Sequence, residues 1–546
     1  MFWTDEIIED ILKKIDKESY LITDWMTPSG HAHIGSLRGL IVHDLVRRGL
    51  EDKSKKAVFQ FGFDDFDPMD GLPIYVDKNW QKYMGLPLNK VPAPDGKSTS
   101  FADQYLNEAL EIFDGLGIKA KFVRDSVLHK EGKYDEAIKI VLDNASAIQK
   151  IYFEISGSKK DPDWFPLQVI CPKCGKIGTT KVTGWDGKLV KFRCEEKLVE
   201  WAQGCGYEGE ISPFGGNAKM PWKVAWGARW FVFNTDIEGE GKDHFAAGGS
   251  RDVANAIFRE VFKQEPPYDI HYEFFLVGGK KMASSKGLGV TAKDMYDFLP
   301  ANILRFLLIR TKAKRAIDFQ PEEDAIPLLY DEYDRASVMF NEDPKSDLAR
   351  AFYYTEIDMK KDPSTSLGAG QPKYLLRFSK IAYMLQMPRI DIFEYAEKEK
   401  ASAFRHVAKS RGAEGDEGAI PLSDIEKQEI ESRIEIAKLW LEKFAPENYK
   451  FNICDELPQG IELNSDQKTF LNKVLNLIKS KETWAGEDLH KEIHNIKNEM
   501  GIPPRDAFSA IYLIFIGKDS GPQAGWLLAS LDKNFVIKRL EEVSNG

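Results

Sequence analysis

Two histidines in a glycine-flanked turn are the first residues of this sequence whose types and spacing could do chemistry. Residues 27–36 read Thr-Pro-Ser-Gly-His-Ala-His-Ile-Gly-Ser, so His31 and His33 lie between Gly30 and Gly35. A helix that begins here would present unpaired N–H groups and a partial positive charge, which together bind phosphate. Glycine lets a nucleotide approach the backbone closely, and imidazole groups can donate to phosphate oxygens. The segment predicts a nucleotide-phosphate site, although a lone pair of histidines near a helix start is more often structural.

A lysine-rich loop further along the chain offers a second group of polar side chains. Residues 278–287 read Gly-Gly-Lys-Lys-Met-Ala-Ser-Ser-Lys-Gly. Lysine is a mobile point charge, so such a loop can close over a triphosphate and neutralise charge that moves onto a leaving pyrophosphate. Taken alone, a loop of this composition is more often simply solvated.

The common nucleotide-binding motifs are missing. At Gly241-Lys242 the pattern G-x-x-x-x-G-K-[ST] fails, because Asp236 occupies the first glycine position and Asp243 follows the lysine. No G-x-G-x-x-G sequence opens a helix. The sequence therefore disfavours ordinary kinases, P-loop NTPases and dinucleotide enzymes.

Four of the five cysteines fall within one short segment, as Cys171, Cys174, Cys194 and Cys205. The first two form a C-x-x-C turn, and the last two are spaced more loosely. Four thiolates saturate a tetrahedral Zn²⁺ and leave no position for water, so the pattern predicts a structural zinc site, with unligated buried cysteines as the alternative. Five cysteines are too few for a disulfide framework and indicate a reducing compartment, for which we expect the cytoplasm.

Acidic and aromatic clusters suggest where a substrate could bind. Asp64, Asp65 and Asp67 follow a predicted strand, where carboxylates suit a ribose hydroxyl or a cationic substrate, and a helix N-cap is an equally good interpretation of one of them. Trp222 and two further tryptophans precede the segment Gly-Lys-Asp-His that ends at His244. Tryptophan is usually a core residue, but beside the glycine-flanked His244 a substrate pocket is as good an interpretation as a core position.

The elements that must position these residues begin with a strand–helix–strand unit. Residues 20–26 and 57–63 read as buried strands, and Ile34, Leu37 and Ile41 recur between them at helical spacing. Such a unit predicts a parallel sheet covered by helices, with ligands at the carboxyl ends of its strands.

The rest of the chain divides into three further parts. Short β-prone pieces and the cysteines indicate a zinc-binding insertion at 163–221, and the sheet pattern resumes at 229–234 and 272–278. Beyond 320 the signals are helical, at 327–341, 373–385, 424–443, 466–479, 486–500 and 505–516. The predicted domains are 1–162 and 222–320 for the two parts of an α/β domain, 163–221 for the insertion and 321–546 for an all-α domain.

Composition sets wider limits. With 546 residues, 43% hydrophobic and 29% charged, the chain has the make-up of an ordinary multidomain globular protein. The apolar run 507–516 is about half the ~20 residues that cross a bilayer, and acids occupy the N-terminus where a signal peptide is basic, so membrane insertion and secretion are unexpected. The formal net charge of −11 argues against indiscriminate nucleic-acid binding, but it allows a local basic surface that binds one RNA.

These motifs resemble a known family. Residues 33–36, His-Ile-Gly-Ser, resemble the HIGH signature of class I aminoacyl-tRNA synthetases, and residues 281–285, Lys-Met-Ala-Ser-Ser, resemble their KMSKS signature. Segments 27–39, 170–175, 204–209, 221–230, 241–244, 272–275, 440–447 and 521–531 resemble the class I lysyl-tRNA synthetases within that class. The resemblance covers nearly the whole chain. Ser36 departs from the last histidine of HIGH, Trp25 stands where a small residue is expected, and Ala225 stands where an aspartate is expected.

The resemblance implies a Rossmann-like catalytic domain and a helical domain that holds the anticodon stem-loop. It implies activation of lysine by ATP, with Mg²⁺, to lysyl-adenylate and pyrophosphate, followed by transfer to the terminal adenosine of lysine tRNA, whose presence is needed for activation. His33, Lys281 and Lys286 are the expected catalytic residues. The residues expected to bind ATP are Pro28, Ser29, Gly30, His31, His33, Gly35, Ser36, Gly241, Asp243, His244, Lys281, Met282, Ser284 and Ser285. Those expected around lysine are Thr27, Trp222, His244 and Tyr272, together with Asp64 and Asp65.

Three other functions are weighed against this one. A HIGH-type nucleotidyltransferase is usually much shorter and needs neither a zinc insertion nor a long helical domain. A class I synthetase for glutamate or arginine would share both signatures. An inactive, RNA-binding relative would have lost His33 and Lys281, and both are present. We expect a monomer with lysine tRNA, lysine and ATP as its partners and no membrane partner.

Overall fold

The computed structural model describes residues 1–281, 290–357, 374–410 and 420–544, with the side chains of all of these except 280, 281, 402–410 and 544. The described residues form two compact units. One comprises those of Met1–Phe319 and Met339–Ala369, and the other those of Gln320–Val338 and Gly370–Gly546. The domain limits given above stay predictions.

The predicted strand–helix–strand unit is confirmed. After helix α1 (Trp3–Lys14), strand β1 (Ser19–Met26), helix α2 (Ser36–Asp52) and strand β2 (Lys56–Phe63) follow in order. The two strands pair in parallel, with Ser19 opposite Lys56 and Met26 opposite Phe63. The apolar positions of α2 that repeat at helical spacing are fully buried, which is why this segment forms a crossover helix rather than a loop.

The central sheet has five parallel strands. The elements that continue the first unit are α3 (Phe101–Gly115), β3 (Lys121–Arg124), α4 (Asp125–Lys130), α5 (Asp135–Asp143), α6 (Ala145–Ser156), β4 (Gln168–Val169), β5 (Thr180–Trp185), β6 (Val190–Cys194), β7 (Glu208–Ile211), β8 (Ala218–Lys219), α7 (Trp222–Phe233), β9 (Ile237–Gly241), α8 (Ser250–Glu260) and β10 (Tyr268–Tyr272). The strand order is β10-β9-β1-β2-β3. The order reverses at β1, and the crevice at such a switch point is where open α/β sheets bind ligands.

The insertion forms small antiparallel sheets of its own. Strands β5, β6 and β7 make one sheet, and β4 pairs with β8. The expectation that the main sheet resumes at 229–234 is wrong, because these residues end helix α7 and the next strand is β9. The rest of the first unit contains β11 (Phe275–Val277), β12 (Lys280–Lys281), α9 (Ala292–Phe298), α10 (Ala301–Ile309) and β13 (Ile317–Asp318).

Helices make up the remainder of the described chain. They are α11 (Ala325–Glu342), α12 (Asp347–Thr355), α13 (Phe378–Met384), α14 (Ile392–Ser410), α15 (Asp424–Lys443), α16 (Ser465–Lys479), α17 (Gly486–Met500), α18 (Pro504–Ile516), α19 (Ala524–Ser530) and α20 (Lys533–Ser544). Helices α17 and α19 approach closely at Gly525, where a Cβ would lie 2.2 Å from the backbone nitrogen of His490. Among the described residues, no helix combines the length and the apolarity that crossing a membrane requires.

Candidate active site

A cavity of about 590 Å³ opens at the carboxyl ends of β1, β2 and β9. Six of the predicted site residues line it: Thr27, Ser29, Asp64, Trp222, His244 and Tyr272. The other described ones do not, namely Pro28, Gly30, His31, His33, Gly35, Ser36, Asp65, Gly241 and Asp243. The cavity thus collects most of the residues expected around the amino acid and few of those expected around ATP.

The histidine turn is held by its own side chains. The amide of Ser36 donates to Nδ1 of His33 at 3.1 Å. A Cβ at position 35 would lie 2.9 Å from the ring of His33, so glycine is needed for the ring to fold over the turn. His31 Nδ1 lies 2.7 Å from a carboxylate oxygen of Glu108, and this hydrogen bond raises the pKa of His31. His31 is therefore paired with the Glu108 carboxylate, and the pair carries no net positive charge.

The lysine-rich loop is described only at its start. The backbone of Lys281, in β12, pairs with Leu276 of β11. The side chain of Lys281 and the residues Met282, Ser284, Ser285 and Lys286 lie outside what the structure describes.

A buried charge cluster forms the floor of the cavity. Lys219, whose side chain is 4% exposed, contacts Asp67 at 2.7 Å, Asp125 at 2.9 Å and also Asp64. Arg229 of α7 contacts Asp64 as well. Burial raises the pKa of Asp64 to about 7, against the attraction of Arg229 and Lys219. Because β8 supplies Lys219, the insertion contributes a cation to the carboxyl edge of the main sheet.

This cluster changes the interpretation of the two acids that were predicted to bind substrate. Asp64 lines the cavity but already has two cationic partners. Asp65 is 0% exposed, and its carboxylate accepts from Arg124 at 2.8 Å and from the amide of Ser126 at 2.8 Å. The assignment of Asp65 to the lysine site is therefore corrected, because this side chain links β2 to β3 and does not reach the cavity.

Aromatic side chains form one wall. The ring of Trp222 lies 5.8 Å from that of Trp226 and 5.6 Å from that of His244, and Trp222 is 45% exposed. Trp25 lies flat against the backbone of Gly62, with the Arg229 guanidinium 4.2 Å from its ring centroid. Burial raises the pKa of Tyr272 well above its usual value, so its phenol stays protonated and can donate a hydrogen bond.

Further acids that sequence reasoning did not select also line the cavity. They are Asp24, Asp70, Glu238 and Glu240, and Asp67 of the predicted acidic cluster lines it as well. Glu238 and Glu240 alternate with glycines along β9, and acids in a buried strand are the signal that could have revealed them. A cavity so rich in carboxylates suits a substrate with positive charge.

The four predicted cysteines converge in the insertion. Their sulfurs lie within 4.8 Å of one another, with 3.6 Å between Cys171 and Cys205 and 3.8 Å between Cys174 and Cys194. A tetrahedral ion with Zn–S bonds of ~2.3 Å requires sulfur separations of ~3.8 Å. The amide of Cys205 also donates to the Cys194 sulfur at 3.3 Å. The donor set therefore fits tetrahedral zinc.

Comparisons with known proteins agree with this geometry. The family profile described as tRNA synthetases class I (K) matches residues 1–358, and the one described as an anticodon binding domain matches residues 455–544. The chain is 34% identical to the lysine–tRNA ligase of Methanosarcina barkeri strain Fusaro, over 100% of this chain and 98% of that protein. It is 33% identical to the lysine–tRNA ligase of Methanocaldococcus jannaschii, over 99% of each. The chain belongs to the family of class I lysyl-tRNA synthetases.

Proposed function

We propose that this chain is a lysine–tRNA ligase, which activates L-lysine with ATP to lysyl-adenylate and pyrophosphate and then transfers lysine to the 3′-terminal adenosine of lysine tRNA. The observation that carries the proposal is the full-length similarity to proteins named lysine–tRNA ligase. Both of these relatives are lysine enzymes and not glutamate or arginine enzymes, and the retained histidine and lysine signatures argue against an inactive RNA-binding protein.

The residues divide the chemistry between them. In activation, a carboxylate oxygen of lysine attacks the α-phosphorus of ATP, and the bond to pyrophosphate breaks. We assign His33 and the turn around it to the phosphates, and Lys281 and Lys286 to the charge that develops on pyrophosphate. Mg²⁺ bound with ATP would supply further charge neutralisation. Thr27, Trp222, His244 and Tyr272 would hold the amino acid, and residues 455–544 would bind the anticodon stem-loop.

We further propose that Cys171, Cys174, Cys194 and Cys205 hold a structural Zn²⁺. With four protein ligands the ion has no open position for a substrate. Its role would be to fix the end of β6 and the start of β7, and with them the small sheet of the insertion. Strand β8 of the same insertion carries Lys219 to the cavity.

The activity is tested by pyrophosphate exchange with lysine and ATP, with and without lysine tRNA. We expect exchange only in the presence of tRNA, and Lys281→Ala should lower its rate far more than it weakens tRNA binding. Exchange that depends on glutamate or arginine instead of lysine would contradict the substrate, and equal losses in rate and tRNA affinity would contradict the role of Lys281.

We also propose that the protein acts as a monomer in the cytoplasm, where tRNA is charged. Light scattering on the eluting protein should give the mass of one chain, and cell fractionation should recover the activity in the cytosol. A dimer mass or a membrane-bound activity would contradict these two points.

A further inference from the structure

Glu238 is a buried carboxylate of the cavity whose hydrogen-bond donors are neutral, and the attraction of Arg251 reaches it without an ion pair. It lies in β9, is 3% exposed and lines the cavity. Its two oxygens accept hydrogen bonds from the Thr23 hydroxyl and from the indole N–H of Trp226. In the part of the chain that the structure describes, no lysine, arginine or histidine forms an ion pair with it; the nearby Arg251 binds Glu240 at 2.7 Å instead.

The other acids of the cavity differ from Glu238 in this respect. Asp64 and Asp67 contact Lys219, and Asp24 lies 3.3 Å from the ring nitrogen of His43. Asp70 has no such partner among the described residues, but it is exposed to water. Among the described residues, Glu238 is thus the acid of this lining that is both buried and without an ion pair.

An arrangement of this kind is costly unless a ligand completes it. A buried carboxylate loses its hydration, and two neutral donors return only part of that free energy. Burial accordingly raises the pKa of Glu238. A cation that enters the cavity would both restore the ionised form and gain a charge-assisted hydrogen bond.

We propose, on the basis of the proposed function, that Glu238 receives the ε-ammonium group of the substrate lysine. Glu238 precedes the strand end at Gly241 by three residues, which places it roughly 10 Å below the edge of the sheet. The reacting carboxylate must stay at that edge, where the nucleotide binds, so the far end of the amino acid points down toward Glu238. The indole of Trp226, which also lines the cavity, would flank the methylene chain.

This assignment makes Glu238 a specificity-determining residue. An analogue with a hydroxyl in place of the ammonium, 6-hydroxynorleucine, has nearly the same shape but brings no charge. Binding it leaves the carboxylate unpaired, and sites built for one polar group reject analogues that lack it.

The test is the variant Glu238→Gln in tRNA-dependent pyrophosphate exchange with lysine and with 6-hydroxynorleucine. The glutamine oxygen can still accept from Trp226 and its amide can donate to the Thr23 hydroxyl, so the local hydrogen bonds are retained. We expect kcat/KM for lysine to fall roughly 100-fold while that for 6-hydroxynorleucine and the KM for ATP stay unchanged. The matched control is Glu240→Gln, a buried acid on the same face of the same strand that already has Arg251, and it should not alter the ratio between the two substrates.

Equal losses with both substrates would show that Glu238 acts through the fold and would overturn the inference. If the unchanged protein fails to use lysine, the proposed function itself is wrong, so the two failures are distinguishable. Should Glu238→Gln not fold, Glu238→Asp keeps the charge but withdraws it by one methylene. Homolysine, which is longer by one methylene, should then gain relative to lysine, and an unchanged preference would contradict the assignment.

Discussion

Replacing Lys219 by methionine tests whether the insertion stabilises the carboxyl edge of the main sheet. In the unchanged protein, Asp64, Asp67 and Asp125 share Lys219 and Arg229. Methionine preserves most of the volume of the side chain but removes its charge, so Asp64 and Asp125 would keep Arg229 alone and Asp67 would lose the cation that it contacts. The loss should therefore be that of a broken buried ion pair, about 3–5 kcal/mol.

The free energy of protonating a carboxylate that has lost Lys219 is of similar size. Asp125, whose pKa is lowered against the effect of its burial by the attraction of Lys219 and Arg229, can take up a proton once Lys219 is removed, which at pH 7 costs about 4 kcal/mol for an aspartate of ordinary pKa and at pH 5 about 1.5 kcal/mol. The destabilisation by Lys219→Met should therefore shrink by more than half between pH 7 and pH 5. This pH dependence separates a charge effect from a packing defect, which would not change with pH.

Because the chain has two compact units, the opening free energy is best measured locally, by hydrogen exchange in peptides that cover β8 and α7. Lys181→Met in the same insertion is the matched control, since Lys181 pairs only with the exposed Asp161 and Asp163 and should contribute at most about 1 kcal/mol. A loss at Lys219 no larger than that at Lys181, or one that is the same at both pH values, would contradict the role assigned to Lys219.

Three further predictions concern other parts of the first unit. Purified protein should contain one equivalent of zinc, and Cys171→Ser should lose it and weaken hydrogen-exchange protection in β5–β7; a zinc-free chain with full protection would contradict the metal site. Burial lowers the pKa of His129 to about 4. As the pH falls from 6.5 to 4, the unfolded chain therefore binds a proton at this residue before the folded chain does. The free energy of unfolding should drop by about 3 kcal/mol by pH 4. His129→Phe should lose this part of the pH dependence in urea titrations, and an unchanged slope would contradict it. Gly62→Ala would place a Cβ 2.1 Å from the ring of Trp25 and should cost about 1–3 kcal/mol, whereas Gly71→Ala meets nothing within 4 Å and should be neutral in thermal unfolding.

Local patterns in the sequence predicted the fold well. Strands β1 and β2 are rich in apolar residues and end at clear breakers, and helices α15 and α17 were predicted with the limits that the structure gives them. The error at 229–234 arose because Trp, Phe and Val favour strands, although Trp222, Trp226 and Trp230 recur at the helical spacing of four. The cysteine cluster was also predictable, since ligand type and spacing are local properties.

The environments of the acids were not predictable, because they depend on residues far away in the chain. Asp64 and Asp65 follow the same strand and were given the same role. In the structure Lys219 and Arg229 reach the first, while Arg124 and Ser126 engage the second and keep it from the cavity. The sequence around positions 64 and 65 does not show which of the two faces the cavity, because that difference comes from partners on other elements.

The alternation of β9 connects the acidic composition to the proposed chemistry. Side chains alternate along a strand, so Glu238 and Glu240 share one face, and Gly239 lies on the other, where its amide donates to Nε2 of His43 at 2.8 Å. A Cβ at Gly239 would lie 2.7 Å from the backbone oxygen of Ile270, so position 239 admits no side chain. The polar side chains of β9 therefore all lie on the cavity side of the strand. An acidic strand in the centre of a sheet opposes folding, and it is explained if the cation that Glu238 lacks arrives with the substrate.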